Sequence, residues 1–169
     1  MPSAGEIQAL IEKRAAGLKD ASEKRDVDDL MSWHSKDATF INSGMRASLR
    51  YVLALVNHHA AQDITIAGRD AIRAFYAQAY AAMPTFKIHT FKITGFTPEF
   101  VACEMECEGK VSTDLPGFDL KAGDSMRLKG VSLFWWKWEG EGEDWDGTLS
   151  EAAIRGWKII EEHAYHQRV

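Results

Sequence analysis

Cysteine, proline and basic charge are all scarce in this chain of 169 residues, and each shortage excludes something. The two cysteines, Cys103 and Cys107, lie four apart in an expected strand. That spacing puts them roughly 13 Å apart, too far for a disulfide. With no neighbouring partner they make a weak zinc case, and they read as small buried hydrophobes. Lysine and arginine number 20 against 25 aspartates and glutamates, a net charge of −5. Such a chain has no basic excess to displace counterions from phosphates, which argues against a nucleic-acid partner. No apolar run approaches the length of a bilayer span. The N-terminal Met-Pro-Ser-Ala-Gly-Glu lacks a positive region followed by an apolar core, so no signal peptide and a cytoplasmic location are expected.

What is present is enough apolar material, 46% of the residues, for one core and one domain over 1–169. Ile7, Leu10, Ile11, Arg14 and Leu18 recur at helical spacing and predict an amphipathic helix over about 4–23. A short helix is expected over 26–33, with acids in its first turn, and a strand over 37–42. A third helix over 68–83 stops before Pro84. The rest reads as β: strands over 86–96, 100–111, 125–138 and 154–167, joined by polar turns. The acidic, Gly-rich stretch 139–151 is expected as a solvated hairpin tip. Helices followed by an antiparallel meander give an α+β domain.

The last strand carries a carboxylate and an imidazole on each face. With period two, one face is Trp157, Ile159, Glu161, His163 and Tyr165, and the other is Ile160, Glu162, Ala164 and His166. A half-buried strand keeps ionisable groups on one side. One Glu/His pair must therefore share a face with the core, where acid–base groups serve proton transfer.

The segment Glu23-Lys-Arg-Asp-Val-Asp-Asp-Leu-Met-Ser-Trp-His-Ser-Lys-Asp-Ala-Thr-Phe40 resembles the opening of the nuclear transport factor 2-like superfamily. Gly68-Arg-Asp-Ala-Ile is similar to its third helix start. Gly130-Val-Ser-Leu-Phe-Trp-Trp-Lys-Trp and Gly156-Trp-Lys-Ile-Ile-Glu-Glu-His-Ala-Tyr resemble its last two strands. The nearest branch is the SnoaL-like group of polyketide cyclases and ketosteroid isomerase-like proteins, with scytalone dehydratase and limonene epoxide hydrolase as related enzymes. The resemblance implies a cone-shaped α+β barrel, with N-terminal helices packed in a curved antiparallel sheet around a pocket. It leaves out about 43–66, expected as an inserted helix or loop.

The resemblance also implies site residues. His89 falls where the dehydratase has a catalytic histidine, Ser132 on its pocket asparagine, Asn42 on its pocket tyrosine and Glu23 on its helix-one aspartate. Ala164 takes the place of the epoxide hydrolases' catalytic aspartate, which turns Glu162 and His166 inward. Met105 and Cys107 stand where those hydrolases have an arginine and an aspartate, and the dehydratase's second histidine has no counterpart. Neither chemistry carries over whole. The expected catalytic set is His89, Glu162 and Glu23. The expected ligand contacts are Asn42, Tyr51, Phe91, Met105, Ser132, Phe134 and His166.

His34 reads as structural. The adjacent His58 and His59 diverge on any regular element, so no metal and no cofactor are expected. The expected function is a cofactor-independent isomerase, cyclase or dehydratase acting by acid–base catalysis on a hydrophobic, oxygenated, polyketide- or terpenoid-like molecule. The alternatives are a non-catalytic binding or dimerisation module and an epoxide hydrolase. A homodimer is the expected assembly.

Overall fold

The computed structural model describes residues 2–42, 64–114, 121–141 and 145–169. Tyr51, the His58–His59 pair and most of the expected 43–66 insertion lie outside them. Helix α1 spans Ala4–Lys24. Ser3 and Glu6 close a capping box at its start, and Arg25 ends it in the left-handed conformation. Leu10, Ile11, Arg14, Leu18 and Ala21 form its buried face. Helix α2, Val27–Ser32, is capped by the Asp26 side chain. Strand β1 runs over His34–Asn42 and β2 over Ile64–Ala67. Gly68, at a positive φ of 87° that disfavours side chains, leads into α3, Arg69–Ala82. Strands β3 (Lys87–Thr97), β4 (Phe100–Lys110) and β5 (Ser125–Trp138) follow. Helix α4 (Glu151–Gly156) leads directly into β6, Trp157–Arg168.

One curved, unclosed sheet has the order β2-β1-β6-β5-β4-β3. Its pairs are antiparallel except β1 with β6, which run parallel. The helices pack on its inner side.

Three sequence expectations shift at element ends. Strand β1 begins at His34 rather than at 37. The expected last strand from 154 opens instead with α4, where the Ser150 side chain accepts from the Ala153 amide. The stretch 139–151 is not simply solvated, because Trp145 is buried edge-on against Trp157 and donates its indole N–H to the Thr148 carbonyl.

Two of the sheet's four register shifts bear on the candidate site residues of β3 and β6. On β3, Ile88 pairs with Cys107 and Thr90 with Glu106, leaving His89 as an extra residue. On β6, Trp136 of β5 pairs with Ile159 and Trp135 with Glu161, so Ile160 is the extra residue. Each bulge reverses the inside–outside alternation beyond it.

The core is in two clusters. The larger gathers Leu10, Ile11, Trp33, Phe40, Ile72, Trp136 and Ile159 with their neighbours. There the Arg14 guanidinium lies 4.4 Å from the Trp136 ring centre and 4.9 Å from that of Trp157, and it donates to the Pro98 carbonyl at 2.9 Å. Burial pushes this guanidinium down to about 9, which leaves it cationic at neutral pH. The smaller cluster is Met83, Ile88, Cys107, Val111, Met126 and Leu128.

Candidate active site

A cavity of about 120 Å³ takes its walls from both clusters. Helix α1 contributes Leu18 and Ser22, one turn apart on its buried face. Helix α3 contributes Tyr76 and Tyr80, again at i and i+4. Phe75, Phe40, Tyr76, Tyr80 and Phe86 form a chain of neighbouring rings with centres 5.1 to 5.9 Å apart. Strand β4 supplies Met105 and Cys107, and β6 supplies Glu162, Ala164 and His166.

Glu162 is the one carboxylate among the described lining residues, and it is 5% exposed. The Tyr76 hydroxyl donates to it, 3.1 Å from Oε1 and 3.3 Å from Oε2. On the other side, His34 Nε2 lies 3.5 Å from Oε2. The opposite ring nitrogen of His34 sits 3.0 Å from the Leu30 carbonyl. A carbonyl only accepts, so Nδ1 carries a proton and Nε2 faces the carboxylate. The ring nitrogen and the carboxylate thus face each other 3.5 Å apart without a hydrogen bond, inside a wall that is mostly apolar. Burial first, and then the charge of Glu162, hold the Tyr76 hydroxyl well above its ordinary range, so it acts as a donor rather than a base. Burial likewise pushes Tyr80 up to about 12.

His166 occupies another part of the cavity wall. Its Nε2 is 3.2 Å from the fully buried Ser132 hydroxyl. Burial lowers its tendency to protonate, partly offset by Glu162, so the ring is held neutral.

The site residues expected from the sequence separate into three groups. Glu162, Asn42, Phe91, Met105, Phe134 and His166 line the cavity, and Ser132 stands behind His166. Tyr51 lies outside the described residues. His89 and Glu23 are corrections. The β3 bulge turns His89 to the outer face, where its Nε2 pairs with Glu108 Oε1 at 3.0 Å, and Ile88 takes the inward position. Glu23 lies one step around α1 from the cavity-lining Ser22 and pairs with Lys19 at 2.8 Å. The competing pair Glu161 and His163 also faces outward, joined at 2.6 Å beside Trp135 and Tyr165.

Sequence reasoning missed His34 and the tyrosines of α3. Tyr76 and Tyr80 carried a signal, since their four-residue spacing places both hydroxyls on one helix face. His34 offered less, because its role depends on a carboxylate 128 positions later in the chain. Among the described residues, no group of three His, Cys, Asp or Glu side chains is placed to hold a metal ion. No described helix is long and apolar enough to cross a membrane.

Residues 16–141 match the model of the SnoaL-like domain family. The chain belongs to that family. A protein assigned to the SnoaL-like polyketide cyclases, from Shewanella denitrificans OS-217, superposes with a TM-score of 0.60 at 13% identity, over 92% of this chain and 88% of its own. IdmH of Streptomyces antibioticus, assigned as a polyketide cyclase, gives 0.59 at 14% identity, over 92% and 90%. A Catenulispora acidiphila DSM 44928 protein with a ketosteroid isomerase-like fold, solved with trimethylamine, gives 0.55 at 11% identity, over 91% and 85%. At these identities the likeness concerns the fold, which is that of the nuclear transport factor 2-like superfamily. No curated protein sequence matches the chain significantly.

Proposed function

We propose that this SnoaL-like chain is a cofactor-independent isomerase, cyclase or dehydratase that moves protons on a hydrophobic, oxygenated small molecule of polyketide or terpenoid type. The observation that carries the reading is Glu162, a carboxylate on a largely apolar cavity wall, with a tyrosine hydroxyl on its oxygens and an imidazole nitrogen facing Oε2. Glu162 takes the proton from a carbon next to a carbonyl. Tyr76 fixes the carboxylate's orientation, and His34 offers a second place for the proton. The largely apolar walls strengthen each of these interactions. Structural neighbours assigned as polyketide cyclases support the substrate class. The outer-face aromatic group of Phe100, Trp135, His163 and Tyr165 supports a homodimer through the sheet.

The test is hydrogen–deuterium exchange at the α-carbon of a panel of enolisable aryl and cyclic ketones in deuterated buffer, followed by proton NMR. The wild type exchanges at least one of them well above the buffer rate, and Glu162→Gln returns that exchange to background. A binding module without catalysis would leave both proteins at background on every ketone.

A further inference from the structure

Glu162 stands in a box of aromatic side chains. In the sheet it pairs with Phe40 of β1 on one side and with Phe134 of β5 on the other. Neighbouring strands lie about 4.8 Å apart, and all three side chains line the cavity, so a ring rises on each side of the carboxylate. Tyr76 closes the box from α3. Its ring centre is 5.9 Å from that of Phe40, and its hydroxyl donates to the carboxylate. Phe75 backs Phe40 with ring centres 5.1 Å apart.

The carboxylate in this box is short of hydrogen-bond donors. Two carboxylate oxygens offer about four acceptor sites, and a buried charge is costly unless it is paired. Here one phenol O–H is shared between Oε1 and Oε2. The nearest group on the other side makes matters worse. His34 Nε2 is buried without a hydrogen-bond partner and turns a lone pair, not a proton, toward Oε2 at 3.5 Å. What this corner lacks is therefore an N–H or O–H donor, and a positive one gains most. The electron-rich faces of aromatic rings attract cations, and a carboxylate attracts them further. A neutral alcohol would supply the hydrogen bond but neither of the other two attractions. The net charge of −5 also favours the approach of a cation.

We propose that Glu162, Phe40, Phe134 and Tyr76 form a binding site for the protonated nitrogen of a small amine carried on an apolar body. An N–H of the ammonium donates to Glu162 Oε2. The π-systems of the box share its charge, and the apolar part of the molecule lies along the remaining cavity wall. This goes beyond the proton-transfer reading and does not depend on it. Where both hold, an amine seated on Glu162 blocks ketone exchange, because it covers the carboxylate that takes the proton.

The test is calorimetric titration at pH 7.5 with benzylamine, which is cationic there, and with benzyl alcohol, its neutral counterpart of like size. The wild type binds benzylamine about tenfold or more tighter than benzyl alcohol. Glu162→Gln keeps the shape and removes the charge, and it brings the two ligands within about twofold of each other. Phe134→Leu keeps an apolar side chain and removes a π-system. It weakens benzylamine about threefold or more and leaves benzyl alcohol within about twofold, a split that a packing role alone would not produce. This second variant decides the matter if Glu162→Gln does not unfold cooperatively. The proposal is overturned if benzyl alcohol binds the wild type as tightly as benzylamine, or if benzylamine does not bind. It is also overturned if Glu162→Gln or Phe134→Leu keeps the full preference for the amine. Failure of the proton-transfer reading looks different: no ketone exchanges, while benzylamine still binds.

Discussion

Ile159 and Glu162 lie three residues apart on one strand and both face the interior, because Ile160 is bulged out between them. Ile159 is 0% exposed and belongs to the main core, whereas Ile160 is 39% exposed. The strand thus presents Trp157 and Ile159 from one alternation to the core, and Glu162, Ala164 and His166 from the other to the cavity. Ile159→Ala is expected to cost about 2–5 kcal/mol, the range for truncating a buried isoleucine. Ile160→Ala should cost about 1 kcal/mol or less, as at most partly exposed sites. Urea unfolding of the two variants checks the difference.

Stability should fall in mild acid because of His166. Burial lowers its folded-state affinity for a proton below the ordinary 6.5 of the unfolded chain. Between the two values the unfolded chain holds more protons, so stability rises with pH through that window and is lost as pH falls below about 6.5. Melting temperatures from pH 5 to 7.5 should show this slope in the wild type. His166→Gln should flatten it.

Cys103 and Cys107 should resist thiol reagents in the native protein. Burial pushes their thiols up to about 12 and about 11, so almost no thiolate exists at pH 8. Titration with an anionic disulfide reagent should find no fast-reacting thiol in buffer and two in denaturant.

His89 and Glu23 should matter little to stability. Both sit in partly exposed ion pairs, with Glu108 and Lys19, which contribute about 0–1 kcal/mol. His89→Ala and Glu23→Ala should melt close to the wild type.

Much of the architecture was legible because it follows from local patterns. The i, i+4 series of α1, the stop at Pro84 and the alternation of β4 each specify an element without knowledge of the rest. The inward set of β4, with Cys103, Met105 and Cys107, is the one the family resemblance implies. The site was less legible, because its geometry depends on single extra residues. A bulge has no clear signature in Lys87-Ile-His-Thr-Phe91, yet it exchanges His89 for Ile88 at the cavity wall. On β6 the bulge at Ile160 turns one alternation inward before it and the other after it, so Glu162, Ala164 and His166 face the cavity while Ile160 does not. His34 and Tyr76 were not legible as partners of Glu162, since all three meet only when α3 and β1 pack against β6.

The central claim is that Glu162, and not His89, is the proton acceptor. The most direct test compares Glu162→Gln and His89→Ala side by side in ketone deuterium exchange, on whichever panel member the wild type exchanges fastest. Glu162→Gln should lose at least about a hundredfold, in line with removal of a general base, and His89→Ala should match the wild type. Wild-type exchange in Glu162→Gln, or its loss in His89→Ala, would contradict the account.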